Sequence, residues 1–340
     1  MSRVTLKEVA ERAGVAIGTA SAVFAGKSWV SPATGAAVRQ AAEELGYRPR
    51  ARKATAAPGG MIGFVSWVND LFAPANPYYA PVLFGAQQAC AELGLSMTYE
   101  VVQRRGDLLP LCVAREQVGG LLVLSSAPRD QLLRILDAGV TCVLLESAAG
   151  DLPDGLAVDQ VGHDDETGGY LATRHLLDLG HTDPPPAVIT ADERVLPAAR
   201  RLSGYRRALA ERGLRPPPGY VRRGEFTSET GHEQMAALLA LPVPPTAVFC
   251  ANDESAFGAL AALRERGLCV PGDVSVIGYD DIAMAAHASP PLTTIASDKE
   301  LLGAQAVWHL VQRIRRPGLT GRDTRIAVRL VARESTAPPR

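Results

Sequence analysis

The sequence lacks long hydrophobic runs and shows almost no excess charge. No uninterrupted apolar stretch approaches the ~20 residues of a membrane-spanning helix, and the start, MSRVTLKEVAERAG, has no apolar core of a secretory signal. The chain holds 35 basic and 36 acidic residues, a formal net charge of −1, which argues against a wholly basic nucleic-acid coat. We therefore expect a cytoplasmic protein with no membrane partner.

Cysteine is scarce and the usual catalytic signatures are missing. The five cysteines are scattered without CxxC spacing and mostly lie in apolar runs, which predicts buried free thiols and no zinc site. The six histidines show no HExxH spacing, and no GxSxG motif, P-loop or strand-linked GxGxxG is present. We predict no catalytic residue, no metal and no cofactor, and hence a protein that is not an enzyme.

The charge that is present is unevenly distributed. Residues 1–54 carry nine Lys and Arg residues against four Glu, whereas the rest of the chain is net acidic. A basic head on an acidic body is typical of a small polyanion-binding module joined to a domain with another task. At roughly 150 residues per domain, 340 residues suggest two or three domains.

The head contains the signals of three short helices. Thr5 and Glu8 form a capping box for a helix over 6–13, and Gly14 ends it. A second helix is predicted over 16–25, and Ser31 followed by Pro32 opens a third that continues to Gly46. Two short helices joined by a tight turn and followed by a supporting helix constitute a helix-turn-helix plan.

The body alternates strands with helices after a basic, Pro/Gly-containing linker, RPRARKATAAPGG. Continuous apolar strands separated by helices predict parallel sheets covered on both faces, and about 280 residues fit two lobes better than one. The predicted strands are 61–68, 96–102, 120–125, 141–146, 187–190, 247–251 and 274–279, with helices such as 80–93, 168–179, 202–212, 231–239 and 256–266.

An ordered set of motifs over nearly the whole chain resembles the lactose-repressor/galactose-repressor (LacI/GalR) family. The motifs are the head VTLKEVAERAGVAIGTASAVFAGKSWVSPATGAAVRQAAEELGYRPR and the body segments GGYLATRHLLDLGH, RRLSGYRRAL, RGEFTSETG, VFCANDESAFGAL, VSVIGYDDIAMAAHASPPLTTI and RLVARES. The resemblance implies a small all-α helix-turn-helix DNA-binding domain on an α/β periplasmic-binding-protein-like body of two Rossmann-like lobes. It also implies a homodimer on a near-palindromic double-stranded operator.

This resemblance gives a domain division. Residues 1–49 form the DNA-binding domain, 50–60 the hinge and 61–340 the effector-binding and dimerisation body. We expect the first lobe to comprise about 61–158 and 288–318, and the second about 159–287 and 319–340.

The recognition helix departs from the family pattern. Ile17, Gly18 and Ala22 stand at its base-reading positions, and none of their side chains can donate or accept a hydrogen bond. We expect apolar contacts of Ile17 and Ala22 with thymine methyls, together with phosphate and minor-groove contacts from basic residues. The other DNA-binding candidates are Thr5, Thr19, Ser21, Lys27, Tyr47, Arg50, Arg52 and Lys53; Ala56 replaces the family's hinge leucine. A degenerate head on a sugar-binding body of periplasmic type stays the alternative.

The effector candidates follow predicted strands, whose carboxyl ends meet at one edge of a sheet. They are Tyr78, Ser125, Asp165, Arg201, Phe226, Asn252, Asp280 and Ser297. Short polar groups and an arginine beside an aromatic face suit a sugar or sugar derivative. Some of them also have a structural explanation: Asn252 bound to loop backbone, Phe226 in the core, and Tyr78 packed with Tyr79 beneath a helix that starts at Pro77. Of the two tyrosines, we expect Tyr79 in the core and Tyr78 facing the ligand. The neighbouring Asp253 is expected to be a helix cap.

The predicted function is that of a sequence-specific transcriptional regulator, a repressor, whose operator binding a small molecule between the lobes controls allosterically. The positive charge of Lys299 favours an acidic or phosphorylated ligand. A ligand-independent regulator whose cleft holds a partner protein is the second possibility.

Overall fold

The protein consists of a three-helix head and a two-lobed α/β body, as seen in a computed structural model. The structure describes residues 4–24, 30–45, 47, 60–67, 77–102, 109–124, 129–146 and 158–340. The head helices are α1 (Leu6–Arg12), α2 (Ile17–Phe24) and α3 (Pro32–Leu45). Among the described residues, no helix has both the length and the apolar character needed to cross a bilayer.

The predicted helix starts in the head are confirmed. The Thr5 hydroxyl accepts a hydrogen bond from the backbone N–H of Glu8, and the Glu8 carboxylate accepts one from the Thr5 N–H, completing the capping box. Ser31 accepts from the Thr34 N–H at the start of α3. The three helices share a small core of Val9, Ala10, Ala20, Val23, Val38, Ala41 and Ala42. Caps and core together fix the orientation of α2.

The first lobe is built on a six-stranded, fully parallel sheet in the order β11-β5-β4-β3-β1-β2. One face packs against helices α4 and α11, and the other has a separate apolar cluster that includes residues of α5 and α6. Its elements are β1 (Met61–Trp67), α4 (Tyr79–Glu92), β2 (Ser96–Val102), α5 (Leu111–Ala114), β3 (Leu121–Leu124), α6 (Arg129–Asp137), β4 (Cys142–Leu145), β5 (Asp159–His163), α11 (Lys299–Arg315) and β11 (Asp323–Ile326).

The second lobe repeats this plan on a four-stranded parallel sheet in the order β7-β6-β8-β9. Helices α7 and α8 contribute to the apolar cluster of one face, and α9 and α10 to that of the other. Its elements are α7 (Asp165–Asp178), β6 (Ala187–Thr190), α8 (Leu196–Glu211), β7 (Val221–Arg223), α9 (Ser228–Leu239), β8 (Ala247–Cys250), α10 (Asp253–Glu265) and β9 (Ser275–Ile277). An antiparallel pair, β10 (Thr294–Ala296) with β12 (Arg329–Val331), lies beside β9.

Three strands lie on the other side of the predicted division between the lobes. Strand β10, at residues 294–296, is predicted in the first lobe but pairs with β12 beside β9 of the second. Strands β5 and β11 belong to the six-stranded sheet of the first lobe, whereas the sequence-based boundaries put residues 159–163 and 323–326 in the second. Both segments are short and rich in polar residues, so hydrophobic periodicity could not assign them. Asp159 in β5 also holds the buried Arg313 of α11, which ties this strand to the first lobe.

The helices α7 to α10 begin three to six residues before their predicted starts. The first turns of α7, α9 and α10 carry polar residues such as Asp165 and Ser228, which an apolar-periodicity argument passes over. This difference places Asp165 and Asp253 inside the first turns of helices. Of the five cysteines, Cys90, Cys112, Cys142 and Cys250 are buried free thiols, as predicted for most of them, and Cys269 is exposed.

Paired glycines bring helices into direct backbone contact in both lobes. A Cβ atom at Gly169 in α7 would overlap the carbonyl of Arg201 in α8, and one at Gly204 in α8 would overlap the carbonyl of Glu166. Gly85 with Gly303 does the same for α4 and α11, and Gly231 with Gly258 for α9 and α10. Close packing of α8 on α7 positions Arg201 next to Asp165.

Candidate effector cleft and DNA-binding surface

Arg201 is the central cation of a buried polar cluster at the carboxyl ends of the strands. Its Nε donates to Asp165 Oδ1 at 2.8 Å, and its Nη1 donates to the carbonyl of Ala251 at 2.6 Å. The guanidinium stacks on the ring of Tyr279, with Cζ 3.6 Å from the ring centroid. The structure therefore brings the predicted residues Asp165 and Arg201 together, and the planar fork uses several of its donors inside the protein.

Asp280 presents an unsatisfied acceptor in this cluster. Its Oδ1 is buried, has no hydrogen-bond partner among the described residues, and lies 3.6 Å from Nη2 of Arg201. Burial raises the pKa of Asp280 to about 7, although the charges of Arg201 and Lys299 oppose that rise. The backbone φ of Asp280 is +108°, a conformation that costs energy in a residue with a side chain. A strained, buried carboxyl group with a free oxygen is suited to receive a hydroxyl donor.

Ser297 and Lys299 lie against the backbone of Asp280. The hydroxyl of Ser297 donates to the Asp280 carbonyl at 3.3 Å, and the Lys299 ammonium donates to the carbonyls of Asp280 and Ser297. The Lys299 side chain thus holds the loop that follows β9. These bonds explain its presence without an acidic ligand.

Asn252, and not Asp253, caps helix α10. The Asn252 Oδ1 accepts from the Ser255 N–H, and its Nδ2 donates to the carbonyl of Phe226. Asp253 is the first residue of the helix, where its carboxylate accepts from Thr294 Oγ1 and the Ile282 N–H. The predicted cap at Asp253 is therefore wrong by one position. The internal bonds of Asn252 match the structural explanation considered for it, because they fix the Phe226 loop.

Phe226 has a packing role and also faces the cluster. Its ring packs against the core between α7, α8 and the four-stranded sheet, and its centroid lies 5.9 Å from the Arg201 guanidinium. Its φ of +61° is rare for a residue with a large side chain. The Asn252 bond to the Phe226 carbonyl stabilises this conformation.

Tyr78 lies in the core, which differs from its expected role of facing a ligand. Tyr78, predicted to face a ligand, is 6% exposed and belongs to the core of the first lobe, whereas Tyr79 is partly buried. The Tyr78 hydroxyl donates to Glu146 Oε1 at 2.7 Å. An internal carboxylate thus satisfies the polar end of the ring, so burial of Tyr78 has little cost.

Glu146 and His163 form a buried pair that the sequence analysis missed. His163 Nδ1 lies 2.9 Å from Glu146 Oε1, and its Nε2 lies 3.2 Å from the Asp298 carbonyl. Burial opposes ionisation of both groups, but their mutual hydrogen bond and charge hold the pKa of Glu146 below its usual value and that of His163 above its own. Glu146 is the last residue of the predicted strand 141–146, directly after β4, and His163 is the last residue of β5. The expectation that site residues lie at the carboxyl ends of strands could therefore have found both.

The polar groups of the two lobes interact electrostatically. Glu146 of the first lobe influences the pKa values of Arg201 and Asp280, both of the second lobe. Three buried carboxyl groups (Glu146, Asp165, Asp280) face Arg201, Lys299 and His163, so opposite charges largely compensate. Within the described ranges, no three His, Cys, Asp or Glu side chains are grouped to hold a metal ion. Such a set can hydrogen-bond a neutral polar molecule.

The DNA-binding candidates of α2 differ in accessibility. Ile17 is 48% exposed, Gly18 and Ser21 are exposed, and Thr19 is partly buried. Ala22 is only 6% exposed, which contradicts its expected contact with a thymine methyl, because a groove-facing side chain must be accessible.

The remaining head candidates are either used within the head or lie outside the described residues. Thr5 is exposed and caps α1. Tyr47 packs on Phe24, with ring centroids 5.7 Å apart, beside the head core. The predictions on Lys27, Arg50, Arg52, Lys53, Ala56 and Ser125 lie outside the described residues.

Comparison with known proteins gives matches over both parts of the chain. The model "Bacterial regulatory proteins, lacI family" matches residues 5–50, and the "Periplasmic binding protein-like domain" matches residues 173–336. The ribose operon repressor of Escherichia coli K12 is 36% identical over 338 residues, which cover 97% of this chain and 99% of that protein. The repressor PurR of Pasteurella multocida is 35% identical over 316 residues, or 91% and 92% of the two chains.

The chain belongs to the lacI family of bacterial regulatory proteins. The solved complex of the transcriptional regulator CelR with cellobiose is 34% identical to this lacI-family chain and superposes with a TM-score of 0.74. The match covers 98% of this chain and 100% of the CelR chain. The family's helix-turn-helix head and periplasmic-binding-like body are thus both present, as predicted. This lacI-family protein is a DNA-binding transcriptional regulator with an effector-binding body.

Proposed function

We propose that this regulator is a homodimeric repressor whose operator binding is controlled by an uncharged sugar held between the lobes. Residues 1–49 would bind DNA, 50–60 would link head to body, and 61–340 would bind the effector and dimerise. Asp165, Arg201, Asp280 and Ser297 are the effector-site residues that the geometry favours. We propose that this site binds its ligand without catalysis and that the protein acts in the cytoplasm, where the operator DNA lies.

The observation that carries this proposal is the buried Asp280 Oδ1, which has no hydrogen-bond donor in the described part of the chain while Arg201 is fixed beside it. A sugar hydroxyl supplies the missing donor and also accepts from a guanidinium. Two of the similar proteins have a sugar in their names: one is a ribose operon repressor, and another regulator was solved with cellobiose. A phosphorylated ligand is disfavoured because Lys299 is engaged and three carboxyl groups lie close by.

The cleft position suggests how the signal would travel. Glu146 and His163 end strands of the first sheet, and Arg201 and Asp280 lie beside the second. A sugar bonded to both sets would favour one relative orientation of the lobes. In a symmetric dimer that orientation would set the separation of the two heads and hence their fit to successive major grooves. The sign of the response, release or promotion of DNA binding, follows from which orientation the sugar stabilises.

Thermal shift of the full-length protein with D-ribose, cellobiose and ribose 5-phosphate tests the ligand. A true ligand at about a hundredfold above its dissociation constant should stabilise the folded state by roughly 2.7 kcal/mol. We expect a neutral sugar to do so, Asp280→Ala to abolish the shift, and Asp192→Ala, which alters an exposed carboxylate, to leave it intact. A shift with ribose 5-phosphate alone, or one that survives Asp280→Ala, would contradict the proposed site.

A further inference from the structure

The first turn of α2 presents aliphatic surface where a recognition helix meets base edges. In helix-turn-helix proteins, the N-terminal residues of the second helix contact bases in the major groove. Here that turn offers the half-exposed side chain of Ile17 and the bare backbone of Gly18. Among the described residues, nothing outside Gly18's own neighbours and helix backbone lies within 4 Å of a Cβ position there. Since Ala22 is buried, Ile17 is the one accessible apolar side chain among the three base-reading positions.

An aliphatic side chain can use only one feature of the major groove. The edges of all four base pairs carry hydrogen-bond donors and acceptors, which Ile17 cannot pair with. The single apolar group is the methyl at C5 of thymine. Cytosine methylated at C5 carries the same methyl on the same ring atom, although its neighbouring exocyclic group is an amine and not a carbonyl.

We propose that Ile17 reads a 5-methylpyrimidine in each operator half-site, so that thymine and 5-methylcytosine are accepted and uracil and unmodified cytosine are disfavoured. This inference goes beyond the effector-controlled function, because it concerns the chemical group that the head recognises. It also makes binding sensitive to cytosine methylation at that position.

The structure holds Ile17 in place for this role. It is the first residue of α2, whose Ala20 and Val23 lie in the head core, and the backbone N–H groups of Thr19 and Ala20 bond to the Ala16 carbonyl just before the helix. The basic charge of residues 1–54 complements the phosphates on either side of the groove. The head therefore combines a fixed apolar side chain with positive charge, and this combination suits binding in a DNA groove.

The size of the effect follows from the area of one methyl. Removing a methyl-sized group from an apolar contact costs about 0.8 kcal/mol, which corresponds to roughly a fourfold loss of affinity per half-site. Two symmetric half-sites give about fifteenfold.

The test uses full-length protein and a binding site selected from a randomised DNA pool. Each thymine pair of the selected half-site is replaced symmetrically by a uracil, 5-methylcytosine or cytosine pair, and affinities are measured by fluorescence anisotropy. At one position, we expect thymine and 5-methylcytosine to bind several-fold more tightly than uracil and cytosine. Ile17→Ala should abolish that difference, whereas Val243→Ala, which trims an exposed apolar side chain of the body, should keep it.

Each other outcome overturns the inference. Indifference to the methyl at every thymine, or a selected half-site without thymine, excludes methyl reading while leaving DNA binding by the head intact. A methyl preference that persists in Ile17→Ala assigns it to another residue. A pool that never converges would contradict sequence-specific binding itself, and the methyl-reading proposal with it.

Discussion

Replacing Arg201 with methionine should destabilise the body strongly while preserving much of its packing. Methionine has a similar length and can still contact the Tyr279 ring, but it leaves the buried Asp165 carboxylate without its partner 2.8 Å away. It also removes the donor to the Ala251 carbonyl. Breaking a buried ion pair by removing one partner costs about 3–5 kcal/mol, because an uncompensated charge stays buried. We expect a loss in that range.

Urea unfolding of the full-length protein, followed by circular dichroism, measures this loss. The matched control is Arg207→Met on the same helix, whose pair with Glu166 is exposed, and it should cost less than about 1 kcal/mol. Adding Asp165→Asn to Arg201→Met should restore part of the stability, because it removes the unpaired charge. A loss below about 1 kcal/mol for Arg201→Met, or no recovery in the double variant, would refute the assignment of Arg201 as the buried counter-ion.

Two further results are expected. Burial raises the pKa of Asp280 to about 7 in the folded protein, so the folded state binds more protons than the unfolded state between about pH 4 and 7, and this group's contribution to stability falls as pH rises through that window. Asp280→Asn should therefore gain stability relative to the natural protein by up to about 1.4 kcal/mol per pH unit there, and parallel pH–stability curves would contradict this. Gly204→Ala should cost about 1–3 kcal/mol in thermal unfolding, because its Cβ would overlap the Glu166 carbonyl. A Cβ at Gly318 would meet no atom of the described residues within 4 Å, so Gly318→Ala should change stability by less than about 0.5 kcal/mol, and equal effects would argue against the close helix contact.

Local signals in the sequence predicted the local structure well. The Thr5–Glu8 capping box, the Ser31 cap and most strand positions depend on neighbouring residues, and the structure confirms them. Motif order over the whole chain predicted the family, which the relatives confirm. The structure also brings Asp165 and Arg201 into contact, and their role in effector binding stays a prediction.

What the sequence by itself determined was therefore the set of elements, the division into a basic head and an α/β body, and the family. Tertiary structure decided the details that depend on partners distant along the chain. Tyr78 is buried because Glu146, 68 residues away, satisfies its hydroxyl, and Glu146 is ionised because His163 lies beside it. The exposure of Ile17 and the burial of Ala22 likewise depend on packing. Burial and pairing are set by three-dimensional neighbours, and hydrophobic periodicity along one chain contains no information on them.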